Sequence, residues 1–151
     1  MNLEHEFSYQ ATLKAPLDVG PGPYGTRLVV EVTGGRFEGK RLNGKILTGG
    51  ADWLLAGSDG FARLDVRAQL VTDDGAAIYL SYFGVLEMNA KVQAALADPA
   101  MGTDFADQYF RTNPRFETGD PRYAWLNQTL FVGEGRVLPN RTVEYRVYRV
   151  T

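Results

Sequence analysis

The chain has no cysteine, so disulfides, thiolate nucleophiles and cysteine-ligated metals are excluded outright. His5 is its one histidine, and it lies in a polar opening segment. A histidine-based triad or a multi-histidine metal site therefore cannot be assembled within one chain. No DxDxDG loop is present, and neither are the GxxxxGK[ST], GxGxxG or GxSxG patterns, so the expectation is an absence of metal, nucleotide and cofactor. An excess of either charge is also missing: 16 basic residues face 18 acidic ones, for a net charge of -2. That balance has no electrostatic footprint for nucleic acid or an anionic membrane. No apolar run approaches the ~18 residues of a membrane helix. The opening MNLEHEFSYQ lacks the basic-then-apolar layout of a signal peptide, which predicts a cytoplasmic protein.

What is present favours strands. Seventeen glycines and eight tyrosines are spread over 151 residues of 44% hydrophobic content, enough for one domain spanning 1–151. Strands are predicted at Glu6–Leu13, Thr26–Val32 and Arg36–Leu47, the last broken near Gly39, with the Pro/Gly-rich Ala15–Gly25 between the first two read as a loop. A short strand ends at Leu54–Leu55. Phe61–Val71 alternates with period two: Leu64, Val66, Ala68 and Leu70 share one face, Arg63, Asp65, Arg67 and Gln69 the other. Asp73-Asp74-Gly75 then turns the chain into Ala76–Leu86. Asn89 caps a single short helix through Ala97, with Pro99 beyond its end. The last strands are Gln108–Thr118, Tyr123–Gly133 and Thr142–Val150. Close-spaced strands with one helix predict an all-β fold, a single antiparallel barrel whose closure removes exposed edges.

The pieces GPGPYGTR, VTGGRFEGKRLNGKIL, GGADW, LDVRAQLVTDDGAAIYL and YFRTNPRFETGDPRYAWLNQTLFVG resemble the bacterial family known as domain of unknown function 3237, also called UPF zero-three-one-one. The resemblance spans nearly the whole chain. It implies a small all-β barrel akin to the calycin and allene-oxide-cyclase-like barrels. It implies no chemistry, because such barrels host binders and cyclases alike.

Candidate chemistry is concentrated where rings and charges mix. Tyr109, Arg111 and Arg115 share one face of a predicted strand, and Tyr123, Trp125, Asn127 and Phe131 one face of the next. With those faces inward, Arg111 and Tyr109 would polarise a carbonyl oxygen, while Trp125 and Phe131 would hold a ring and Asn127 would orient it. A structural ion pair of Arg111 with Glu117 or Asp65 is the competing account. Asp65, between Arg63 and Arg67, is a candidate acid or base if it lies inside the barrel; otherwise it belongs to a solvated Arg-Asp-Arg face. Asp52 in GGADW is the second candidate acid, or else a carboxylate that caps its own turn. Trp53 and Tyr79 complete the expected ligand contacts.

These residues predict an interior pocket for a small cyclic or aromatic organic ligand. The function expected is metal-free proton transfer, as an isomerase, cyclase, lyase or hydratase; the alternative is a non-catalytic binding barrel. Two apolar stripes, Leu64/Val66/Leu70 and Leu126/Leu130/Val132, are expected to face outward and support a homo-oligomer.

Overall fold

A computed structural model describes residues 1–151. The strands are β1 (Leu3–Leu13), β2 (Leu17–Gly22), β3 (Gly25–Gly39), β4 (Gly44–Ile46), β5 (Ala51–Ala56), β6 (Phe61–Thr72), β7 (Ala77–Glu87), β8 (Phe110–Thr112), β9 (Arg115–Glu117), β10 (Phe131–Leu138) and β11 (Thr142–Val150). Eight of them close an antiparallel barrel in the order β1-β3-β5-β6-β7-β8-β10-β11, with β11 returning to β1. The short strands β2, β4 and β9 pair onto its margins. The β6–β7 hairpin follows from local chemistry. Thr72 receives the Ala76 N–H at 2.8 Å, and Gly75 takes the positive φ of 94° that the turn requires.

The helix α1 (Ala90–Ala97) is capped as predicted, with the Asn89 side chain accepting from the Val92 N–H. A second helical segment was not predicted: Pro121–Gln128 forms 3-10 turns where a strand was read from Tyr123. Asp120 accepts from the Arg122 N–H and Pro121 follows it, a helix-start signal that overrode the alternation of rings. The strand predicted over Gln108–Thr118 is likewise split into β8 and β9. Between them Asn113 takes the Phe83 N–H on its side chain and returns its own N–H to the Phe83 carbonyl. The presumed loop Ala15–Gly25 contains β2, an edge strand that tolerates Pro21 because it pairs with β3 alone.

Strand parity decides what lies inside. Ala62, Leu64, Val66, Ala68 and Leu70 of β6 are all buried, so the alternation was read correctly and its apolar face points inward. The expected outward stripes are corrected accordingly. Leu64, Val66, Leu70 and Leu126 are core, leaving Leu130 exposed and Val132 half-buried.

The two ends of the barrel differ. At one end Phe7 meets Phe37 and Phe116 edge to face, with centroids at 6.3 and 5.5 Å, and Phe116 meets Phe131 at 5.2 Å. Leu126 and Trp125 of the 3-10 segment pack over this end. Each buried ring contributes ~1.5–3 kcal/mol, so it is densely filled. The opposite end, where β1 gives way to β2 and β7 runs into α1, is ringed by Leu13, Leu28, Ala56, Met88 and Val143, all only partly buried. Val92 and Ala95 of α1 pack there.

Candidate functional site

A polar cluster lies between the aromatic plug and the half-buried rim. Tyr9 (β1), Tyr82 (β7) and Tyr145 (β11) point inward from positions that otherwise carry apolar residues, and all three are buried. Tyr9 and Tyr145 are cross-strand partners whose rings stack at 4.8 Å. The Tyr82 hydroxyl donates to that of Tyr145 at 3.3 Å, so phenols from opposite walls meet across the interior. The Tyr9 hydroxyl is buried beside the Tyr82 hydroxyl, which raises its pKa further than burial alone, yet makes no well-aligned hydrogen bond, and the Thr112 Oγ1 of β8 is buried without a partner. Burial pushes all three phenols well above the usual tyrosine range, so each is a neutral hydroxyl at any physiological pH.

Asp52 is the carboxyl of this interior. It pairs across β5–β6 with Val66, and Val66 pairs with Tyr82, which puts Asp52 at the tyrosine level. The β5–β6 ladder is interrupted between Asp52/Val66 and Leu55/Arg63. In the gap the Asp52 Oδ1 accepts the Asp65 N–H at 3.1 Å, and the Trp53 carbonyl accepts from Arg27 Nη1 at 2.8 Å. Removal from water is the largest influence on the Asp52 carboxyl and pushes it up to about 7. The Asp65 N–H opposes this, the Asp65 carboxylate adds to it, and Arg27 weakly opposes it. The charge of Asp52 in turn raises Tyr82 and Tyr145. Asp52 nonetheless keeps part of its surface exposed, which sets it between water and the buried phenols.

The other predicted site residues lie elsewhere. Asp65 is on the outer wall, and its hydrogen bond to Asp52 comes from its backbone N–H rather than its side chain. Arg111 and Tyr109 are exposed on the outer surface, the guanidinium 5.2 Å from the ring centroid, which corrects their expected inward aim. Arg115 and Glu117 are also outward. Their strands turn Phe110, Thr112 and Phe116 inward instead, since a guanidinium inside so small a barrel would need a buried counter-charge. Trp53 and Tyr79 lie on the outer face, 39% and 42% exposed, with Arg67 over the Trp53 ring.

The remaining four belong to the 3-10 segment and the filled end. Tyr123 donates to Asp74. Trp125 lies under the Arg41 guanidinium at 3.6 Å. Asn127 pins the loop by accepting the Thr118 N–H and donating to the Thr118 carbonyl, both at 2.9 Å. Phe131 is core. Asp52 is thus the one predicted residue in the polar interior; Tyr82 and Tyr145 are its unpredicted neighbours, with Tyr9 stacked on Tyr145 and Thr112 on β8, three strands round the barrel. Their signal was a hydroxyl on an apolar parity: Phe7-Tyr9-Ala11, Leu80-Tyr82 and Tyr145-Val147.

Two open depressions of about 430 and 440 Å³ lie outside the barrel, one along Ser8, Gln10, Glu38 and Glu144, the other beside Arg41, Asp73, Asp74 and Tyr123. Their charges are largely paired with one another, Arg36 with Asp73 and Glu38, for example, and neither depression reaches Asp52. No helix is long and apolar enough to cross a membrane.

The family model described as protein of unknown function DUF3237 matches residues 1–150. The chain belongs to the DUF3237 family. A solved family structure from Clostridium acetobutylicum is 33% identical, with a TM-score of 0.85 and full coverage, 100% of each chain. A β-barrel-like protein from Acinetobacter baumannii is 38% identical over 99% of this chain and 96% of its own, with a TM-score of 0.83. A chain from Penicillium herquei, described as an enzyme, is 23% identical over 99% of this chain and 94% of its own, with a TM-score of 0.70. At that identity the likeness is one of fold.

Proposed function

We propose that this DUF3237 barrel is a metal-free proton-transfer enzyme acting on a small cyclic or aromatic carbonyl compound, with Asp52 as the acid-base group. The observation that supports this most is a single largely buried carboxyl, its pKa pushed up to about 7, sharing an interior with phenols whose hydrogen-bonding capacity is not used up. A general base works best when its pKa lies near the operating pH. Ionised Asp52 takes a proton from the carbon beside the carbonyl, and the C–H electron pair moves onto the carbonyl oxygen. The Tyr145 proton, left free when Tyr82 donates to that hydroxyl, is the donor for the resulting enolate, with the Tyr9 hydroxyl, which makes no well-aligned hydrogen bond, as a second. Protonated Asp52 then returns the proton to a different carbon, or to the same one, closing the cycle without net redox change. The ligand enters past Leu13, Leu28 and Val143 of the half-buried rim.

The test needs no knowledge of the natural substrate. 2-Tetralone and related cyclic ketones are incubated with protein in D2O, and loss of the α C–H signal is followed by NMR. Exchange faster than in buffer is expected, with a fall of ~10²–10⁴ in Asp52→Asn. Equal rates with wild type, variant and buffer would remove the proton-transfer reading. The unpartnered Thr112 hydroxyl also suits the second reading, a binding barrel, for which ligand would bind and be recovered unexchanged.

A further inference from the structure

Resting on that reading of the same site, we infer that the interior selects uncharged ligands, hydroxyl- or carbonyl-bearing ring compounds, and rejects organic anions such as carboxylates and phosphates. The inventory of inward polar groups carries this. Besides Asp52 it comprises the hydroxyls of Tyr9, Tyr82, Tyr145 and Thr112 and the amide of Gln108, all neutral donors and acceptors. No lysine or arginine joins them. Arg27, the cation that acts on Asp52, commits Nη1 to the Trp53 carbonyl, and the other cations beside β5 are engaged elsewhere, Arg67 over the outer face of Trp53 and Arg63 with Asp59. An anion entering this interior would lose its hydration, meet no counter-charge and face Asp52.

A neutral hydroxyl or carbonyl fits the same groups. Tyr9 is 3% exposed and Thr112 5% exposed; the Thr112 oxygen has no partner, and the Tyr9 hydroxyl, beside Tyr82, makes no well-aligned hydrogen bond. A ligand oxygen that satisfies them gains hydrogen bonds that water does not supply, and their unmet capacity favours binding over an apolar filler. The stacked Tyr9–Tyr145 pair and Phe110, edge to face with Tyr145 at 5.2 Å, supply aromatic surface beside them.

A matched pair of probes tests the inference. 2-Naphthol and 2-naphthoate share a ring system and differ in charge at pH 8, and their dissociation constants are read by fluorescence titration. Naphthol is expected to bind, and naphthoate to bind at least ~100-fold more weakly, given a like charge a few ångströms away in a medium of intermediate dielectric. Asp52→Asn should narrow that gap about tenfold by strengthening naphthoate alone. Tyr9→Phe should weaken naphthol about fivefold while its urea midpoint stays equal to wild type or rises, because an unsatisfied buried hydroxyl has been removed. That second readout separates a lost ligand contact from a damaged fold. Naphthoate binding as tightly as naphthol would overturn the inference, as would failure of both probes to bind or naphthol binding indifferent to Tyr9→Phe. Charge discrimination without deuterium exchange of 2-tetralone would retain the ligand class and remove the chemistry. Exchange of an anionic keto acid as fast as 2-tetralone would do the reverse.

Discussion

Asp52 makes a stability prediction that is independent of any substrate. Its carboxyl has an ordinary pKa of 3.8 and is pushed up to about 7 in the fold. At ~1.36 kcal/mol per tenfold, ionising it in the folded state costs ~4 kcal/mol relative to the unfolded chain. The sign follows from linkage. A raised acid binds more protons folded than unfolded, so stability is greatest below pH ~4, falls as pH rises toward 7, and levels off above. Between pH 5 and 8 the fall is about 2–3 kcal/mol, and the partial exposure of Asp52 widens the range to look for to ~1–3 kcal/mol. With a urea dependence of ~1–3 kcal/mol per molar, the midpoint moves by about 1 M.

Asp52→Asn is the decisive comparison, because the amide oxygen can still accept the Asp65 N–H while the charge is gone. Urea unfolding of wild type and variant at half-unit intervals from pH 5 to 8.5 should show the wild type losing stability relative to the variant as pH rises. Asp59, Asp73, Asp107 and Asp120 act in the opposite sense: their surface arginine and lysine partners hold them below the usual range, so their contribution is lost as pH falls below about 4. They are common to both proteins and cancel in the difference. Two curves parallel within ~0.3 kcal/mol across this window would refute the desolvation argument and, with it, the basis for Asp52 as an acid-base group at neutral pH.

Three further substitutions test the architecture. Arg41→Ala removes the bidentate partner of the buried Glu6 carboxylate and uncovers Trp125; with Arg149 still 3.6 Å from Glu6, a loss of ~2–4 kcal/mol is expected in thermal or urea unfolding at pH 7. Asn127→Ala breaks both hydrogen bonds to Thr118 that hold the 3-10 segment against β9, and should cost ~1–3 kcal/mol by the same measurement. Arg111→Ala should change stability by less than ~0.5 kcal/mol and leave 2-tetralone exchange untouched, because its side chain lies on the outer wall with a ring and a backbone carbonyl for company; a tenfold fall in exchange would place it in the chemistry after all.

Much of the barrel is legible in short-range patterns. The β6–β7 hairpin can be read from period-two alternation and Asp73-Asp74-Gly75, and α1 from Asn89, because turns and caps are decided by neighbouring residues. The 3-10 segment was misread because Tyr123, Trp125 and Asn127 alternate like a strand, although Asp120-Pro121 carried the opposing signal. The polar interior was illegible for a different reason. Tyr82 and Tyr145 lie 63 residues apart, and their hydroxyls meet only because β6 pairs with β7 and closes the sheet. No local window contains that fact.

The direction of the error has a physical cause. Arg111, Asp65, Trp53 and Tyr109 drew attention because rings and charges together suggest a binding wall. In a small closed barrel, however, the wall that can carry a guanidinium is the hydrated one. A phenol can be buried for the sake of a single hydrogen bond, so the interior of this barrel takes its polarity from tyrosine, one on each of β1, β7 and β11, set among phenylalanine, leucine and valine. A carboxyl can enter where the ladder has opened and left it an N–H to accept, as Asp52 does at Asp65. Interior chemistry in such barrels is therefore marked by hydroxyls on an apolar parity and by an acid at an interrupted strand pairing, the reverse of the charged alternation that marks the outside.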